Sequence, residues 1–301
     1  MPFIPFQKYL KNLYTPLLSF TPFFLFHVHF QKPLHPYEKP FTPIRKTLYA
    51  LPLPFKPFTP FQRTMLPPRI SFISRLLDVL APRLCAGCGR RLTITEKGIC
   101  ISCLLTMPRT HFAASAADNP MARLFWGTIN PERAAALCYY QAGTHLSHII
   151  HEMKYYNQPL LGEQLGRIAA EEMARHGFFE GIDALVPIPI TRRRQRQRGY
   201  NQSRHIALGI SQMTGIPVVD GLVKRTRFTK SQTRTEAFGR QENVEGAFEV
   251  DRDKLHEQRH RHLLVIDDVV TTGATMTACC SQLQQEEDVR ISIFSLCFTK
   301  S

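Results

Sequence analysis

The chain has 301 residues, 44% of them hydrophobic and 21% charged, with 38 Lys and Arg against 24 Asp and Glu for a formal charge of +14. This length allows one to two domains with a sizeable core, and the composition excludes wholesale disorder, a polytopic membrane protein and a disulfide miniprotein. The charge points toward polyanionic partners, meaning phosphates, nucleic acid or acidic surfaces, and says nothing about fold.

Residues 1–64 stand apart. They hold 12 of the 22 Pro, 11 of the 21 Phe, eight basic residues against one acidic, and no Gly. Pro at this density removes backbone donors and restricts its neighbours, so neither helices nor central strands are expected. The apolar run Leu13–Phe30 is interrupted by Pro16 and Pro22 and lacks a signal-peptide layout, so no transmembrane segment is predicted. Three readings stay open: a disordered Phe/Pro-rich extension, a weak membrane-associating tail, or translated upstream sequence with the true start at Met65. The third is favoured, because ordinary domain sequence follows Met65 directly.

Residues 65–133 read as a short helix, a cysteine module and a connector. Ile70, Ile73, Leu76, Leu77 and Leu80 recur at helical spacing. Cys85 and Cys88, then Cys100 and Cys103, form two Cys-x2-Cys pairs that can surround a tetrahedral ion, with Gly87 and Gly89 allowing tight knuckles. A closed four-thiolate site predicts structural zinc rather than a catalytic metal. The connector carries Pro108, Asn119-Pro120 and Asn130-Pro131 as turn signals. Cys138, Cys279, Cys280 and Cys297 fall in apolar stretches and are read as packing residues.

From residue 134 to the end, strand and helix patterns alternate: strands at Ala134–Tyr140, Asp183–Ile190, Leu263–Val270 and Val289–Phe298, and helices at Leu146–Tyr156, Leu161–His176, Asn201–Thr214 and Ala274–Gln285. Alternation of this kind predicts an α/β fold, a mostly parallel sheet flanked by helices, with ligands beyond the carboxyl ends of the strands.

The segment after the third strand carries the chemistry. Four apolar residues, Leu263 to Ile266, are followed by Asp267 and Asp268 and then by Thr271, Thr272, Gly273, Ala274 and Thr275 at a helix start. Backbone N–H groups there, with Thr hydroxyls and a Gly, suit a phosphate. The carboxylates suit sugar hydroxyls or waters on magnesium. Upstream, Arg192, Arg193, Arg194, Arg196 and Arg198 occupy what reads as a loop after Val186-Pro187-Ile188-Pro189. The window 191–240 holds 12 basic residues and two acidic. Arginine forks match pyrophosphate oxygens; a solvated basic loop and a nucleic-acid phosphate track are the other readings. The polar stretch Thr229–Phe248 reads as a mobile loop that closes over the site, or as an idle insertion. Lys154, near a helix end, could reach a phosphate or simply complement the helix dipole.

Asp267-Asp-Val-Val-Thr-Thr-Gly-Ala-Thr275 resembles the phosphoribosyl pyrophosphate (PRPP) motif of type I phosphoribosyltransferases. Together with Val-Pro-Ile-Pro, Arg198-Gly-Tyr-Asn-Gln202, Arg240-Gln-Glu-Asn-Val-Glu-Gly-Ala-Phe248 and Ile150-His-Glu-Met-Lys-Tyr155, it is similar to the ComF family over about Leu76–Phe298. The resemblance implies a phosphoribosyltransferase-like domain with an N-terminal zinc module, in a cytoplasmic bacterial protein linked to DNA uptake. Asp267 and Asp268 would hold the ribose, Thr271 to Thr275 the 5-phosphate, and the arginines with Lys154 the pyrophosphate, magnesium accompanying it. Single-stranded DNA and DNA-uptake helicase or translocation proteins are the alternative partners, with the PRPP site then a sensor or a vestige. Whether transfer occurs, and to which acceptor, stays open. Glu286-Glu287-Asp288 departs from the small-residue and Gly turn usual in the family.

Overall fold

The computed structural model describes residues 82–226, 247–257 and 262–300. All of them belong to the second of the two units into which the chain divides, Pro67–Ser301. The extension 1–64, the helical spacing at 70–80 and most of Thr229–Phe248 lie outside the described residues.

In chain order the elements are α1 (Ile101–Leu105), a 3-10 turn (Phe112–Ser115), α2 (Pro120–Arg123), β1 (Arg133–Tyr140), α3 (His145–Tyr155), α4 (Pro159–Ala174), β2 (Ala184–Pro187), α5 (Arg192–Arg198), α6 (Gln202–Thr214), β3 (Val223–Arg225), β4 (Phe248–Val250), α7 (Arg252–Glu257), β5 (His262–Val270), α8 (Ala274–Leu283) and β6 (Arg290–Thr299). Four strands form an all-parallel sheet in the order β1-β6-β5-β2, flanked by helices. The α/β expectation therefore holds. Strands β3 and β4 form a separate antiparallel pair.

Burial explains the sheet. Leu263, Leu264, Val265 and Ile266 of β5 are fully buried, and Ile291 through Phe298 of β6 are buried without interruption. Continuous apolar runs are what a parallel strand covered on both faces requires. Just before β6, Asp288 takes φ 60°, a left-handed turn that Gly usually fills and that Asp tolerates better than most residues.

The second strand is shorter than Asp183–Ile190. Its ladder with β5 ends at Pro187 against Ile266, because Pro187 and Pro189 have no N–H to continue it. Strand β5 thus runs on past its neighbour, and Asp267 and Asp268 lie on that overhanging end.

The connector contributes to the core. Phe112, Met121, Phe125 and Ile129 are buried with the sheet residues in one continuous cluster. Asn119 caps α2, accepting from Met121 N–H and Ala122 N–H at 3.0 Å, with Pro120 in its first turn, so Asn-Pro here starts a helix. Residues 108–110 run along the outer side of β1: Thr110 N–H donates to Leu137 O at 3.2 Å, and Tyr139 N–H to Pro108 O at 2.8 Å. This covers an edge that would otherwise present unpaired backbone.

Helices α4 and α6 cross closely because Gly166 and Gly209 face each other's backbones. A Cβ on Gly166 would fall 2.2 Å from Ile206 O, and one on Gly209 2.1 Å from Glu163 O. The crossing fixes α6, whose first turn reaches the acid pair.

Candidate functional site

Asp267 and Asp268 lie on β5 beyond Ile266, where the pairing with β2 ends. The Asp267 carboxylate accepts from Ser203 Oγ at 3.1 Å and from Asp268 N–H at 2.9 Å. Burial, and then the neighbouring Asp268 charge, push its carboxyl up to about 7, against the lowering effect of those bonds and of Lys154. Asp268 pairs with Lys154, Nζ to Oδ2 at 3.0 Å, both side chains largely withdrawn from solvent. Its Oδ2 is buried and no hydrogen bond is aligned on it, so the atom keeps acceptor capacity for a ligand hydroxyl.

Lys154 arrives from the last turn of α3, whose core face is Leu146, Ile149, Ile150 and Met153. Tyr200 ties that end down: it is buried, and its hydroxyl donates to Met153 O, one of the carbonyls a helix end leaves unpaired. Burial pushes the Tyr200 phenol up to about 12. It therefore stays a neutral donor at physiological pH.

Next to the acids, Thr271 and Thr272 are exposed and Gly273 is buried. Helix α8 begins at Ala274 with no side-chain cap, so its first N–H groups are left for another acceptor. Gly273 is required on two counts. Its φ is 76°, and a Cβ would meet the Phe125 ring at 2.8 Å and Leu124 at 3.0 Å. The connector thus packs directly under the loop, which adds to the close-approach role expected for this glycine.

The arginines are not on a loop. Arg192–Arg198 is a helix, capped by Thr191, which accepts from Arg194 N–H, and closed by Gly199 at φ 80°. Arg and Gln are good helix formers, and a Thr start with a Gly stop completes the pattern. The helix divides its cations. Arg192, Arg193, Arg194 and Arg196 are exposed, whereas Arg198 is half-buried. Arg198 donates to Gln202 Oε1 at 3.0 Å and lies over the Tyr155 ring, 5.6 Å from its centre. Its Nε is buried without a partner. Arg198 and Lys154 are the inward cations; the other four line the outside.

Cys85, Cys88, Cys100 and Cys103 converge, with all four sulfurs within 4.8 Å of one another. Such a set could hold a metal such as zinc. Gly87 N–H and Cys100 N–H point at Cys85 Sγ, at 3.4 and 3.3 Å. Burial would raise the Cys85 thiol, but backbone N–H groups from Cys100, Cys88 and Gly87 outweigh it and bring it down to about 7, which favours the thiolate a metal needs. Glu96 braces the module by accepting from Thr93 N–H and Ile101 N–H, both at 2.8 Å. Gly87 packs against α3, since a Cβ there would meet Cys103 Sγ, Ile149 and His145 O within 3.3 Å. The remaining four cysteines are buried, as packing residues should be.

Ser203 carries no sequence signal of its own, and Tyr200 and Gln202 enter the sequence reading only as part of the Arg198–Gln202 motif, without a role. Each acts across a long sequence separation or through burial, which no local spacing reveals. No helix among the described residues is long and apolar enough to cross a membrane.

The chain is similar to DNA utilization protein YhgH of Escherichia coli (strain K12), 29% identical over 219 residues that make up 72% of this chain and 90% of that protein. It is 30% identical to Competence protein F of Haemophilus influenzae over 154 residues, 50% of this chain and 67% of that protein. The YhgH protein of Salmonella typhimurium is 26% identical over 228 residues, 72% of this chain and 98% of that one. No family model matches the chain.

Proposed function

The chain belongs to the ComF family of competence and DNA-utilization proteins, and from that premise we propose that it binds PRPP at the end of β5 and can transfer its phosphoribosyl group. The observation that carries this reading is the Lys154–Asp268 pair beside the uncapped start of α8. Ribose carries hydroxyl donors and PRPP carries phosphates, and the site offers acceptors and cations in neighbouring places.

In this reading the ribose hydroxyls donate to Asp267 and Asp268. The 5-phosphate takes the first N–H groups of α8 with the hydroxyls of Thr271, Thr272 and Thr275. Lys154, released from Asp268, and Arg198 take the pyrophosphate. A nucleophile forms a bond to the anomeric carbon as the carbon–oxygen bond to pyrophosphate breaks, and the nucleophile gives its proton to solvent. The protein contributes positioning and electrostatics. Magnesium would enter with the pyrophosphate and supply countercharge; the acids, engaged with the sugar, need not ligate it.

Calorimetric titration of PRPP with magnesium into the full chain tests this reading. Binding that Asp267→Asn/Asp268→Asn abolishes is the expected result. A folded wild type that binds no PRPP would remove the transferase reading and leave DNA handling.

A second reading, single-stranded DNA binding, is favoured by the outer row of arginines on α5 and by the exposed Tyr155 and Tyr156 rings beside His151, 4.7 and 5.8 Å between centres. Aromatic faces with adjacent cations suit stacked bases and their phosphates. The two readings separate cleanly. If DNA uses the outer arginines, Arg192→Ala/Arg193→Ala/Arg196→Ala should flatten the logarithmic salt dependence of DNA affinity by about 2, from ~0.7 per phosphate contact, and leave PRPP binding intact. Competition of DNA by PRPP would instead place both ligands on Lys154 and Arg198.

A further inference from the structure

Between the cysteine knuckle and α3 lies a concavity of about 410 Å³ lined by His145, His148, His151 and Glu152 together with Cys88 and Gly87. Four cysteines already satisfy a tetrahedral ion, so the histidines are not needed by the first site. His145, His148 and Glu152 are spaced three and four residues apart and share one face of the helix. All three histidines are exposed.

His148 is held in a particular state. Its Nδ1 lies 3.2 Å from Gly87 O. A carbonyl only accepts, so Nδ1 carries the proton and Nε2 presents its lone pair. An imidazole that gives one N–H to a backbone carbonyl and offers the other nitrogen is the arrangement metal-binding histidines use, because the outer bond fixes both tautomer and ring direction. Glu152 keeps one carboxylate oxygen free, since Oε2 accepts from Gln158 at 3.3 Å. His151 is engaged with the Tyr155 ring and stands at the margin.

We propose that His145, His148 and Glu152 form a second metal site, for a borderline divalent ion such as zinc, on the face of α3 that supports the cysteine module. Imidazole and carboxylate donors suit this class of ion. Among the described residues only the four cysteine sulfurs are already drawn within 4.8 Å; with His148 held by Gly87 O, the exposed His145 and the half-buried Glu152 close on an ion by side-chain rotation. The site is independent of PRPP.

The test uses the full chain titrated with Co²⁺ after removal of bound metal. Two equivalents are expected. The first brings the intense thiolate band of a four-sulfur site, and the second only a weak visible band from nitrogen and oxygen ligands. His145→Ala/His148→Ala should keep the thiolate band and lose the second equivalent. Glu152→Gln should weaken the second step by at least about tenfold. A wild type that saturates at one equivalent overturns the proposal, as does a double variant that still takes two. If the double variant loses the thiolate band, the Glu152→Gln titration decides: an unchanged second step overturns the site.

Discussion

Asp267 sets a pH signature. Burial and the adjacent acid hold its carboxyl near 7 in the folded chain, against about 4 in the unfolded chain. The folded state therefore carries the extra proton between those values. Its contribution to stability is full below about pH 4 and is lost as the pH rises through about 7. Asp267→Asn should melt above wild type at pH 8 and close to it at pH 4.5, by ~2–4 °C for each kcal/mol recovered. An equal gap at both pH values in differential scanning fluorimetry would refute the assignment. The Lys154–Asp268 pair adds a second residue-scale expectation. A phosphate alone would strip Lys154 from Asp268 and leave a buried acid unmatched; a sugar alone would strand the ammonium. Ligands that supply both halves are favoured, so pyrophosphate and ribose, offered separately, should each bind at least about a hundredfold more weakly than PRPP, on the scale of an unpaired buried charge.

At the scale of elements, the close crossing of α4 and α6 is the most exposed to substitution. Gly209→Ala would drive a methyl into Glu163 O, which lies only 2.1 Å from the new atom's place. The helices must separate, at a cost of about 2–3 kcal/mol, and urea denaturation should show it. Separation also draws Ser203 away from Asp267, so ligand affinity should fall further than the stability loss alone would cause. The elements differ in how far their sequences reveal them. Strand β5 and helix α8 were legible because Leu263 to Ile266 form an unbroken apolar run and a Thr/Gly turn follows. The β2 boundary was overrun because Ile188 and Ile190 continue the apolar pattern, while the ladder stops at Pro187. Helix α5 looks like a basic loop in sequence because Arg192–Arg198 holds only Arg and Gln and has no apolar face, although Thr191 and Gly199 mark its ends. Phe112, Met121, Phe125 and Ile129 stood among turn signals, and only the sheet beneath them gives them a reason to be buried. In the site, Lys154 meets Asp268 at 3.0 Å, a pairing that neither residue's motif predicts, and Ser203 reaches Asp267 across 64 residues of sequence, a relation set by the α4–α6 packing.

Across the whole molecule, one core cluster runs from Cys85 to Phe298. The cysteine module therefore shares its packing with the sheet. With zinc loaded on the four cysteines, stripping it with a chelator should lower the stability of the chain by several kcal/mol in a single calorimetric transition, given what structural zinc contributes in small domains; two separate transitions would show that the module folds on its own. The same continuity gives α3 an unusual position. At its first turns His148 bonds to the Gly87 carbonyl of the cysteine knuckle, and in its last turn Lys154 holds Asp268. Eleven residues make a stiff rod about 16 Å long with one end on the sulfur cluster and the other on the acid pair. On the proposed function, a shift of the knuckle would be delivered along that rod to the ammonium at its far end, coupling metal binding by the four cysteines to the grip on a sugar phosphate.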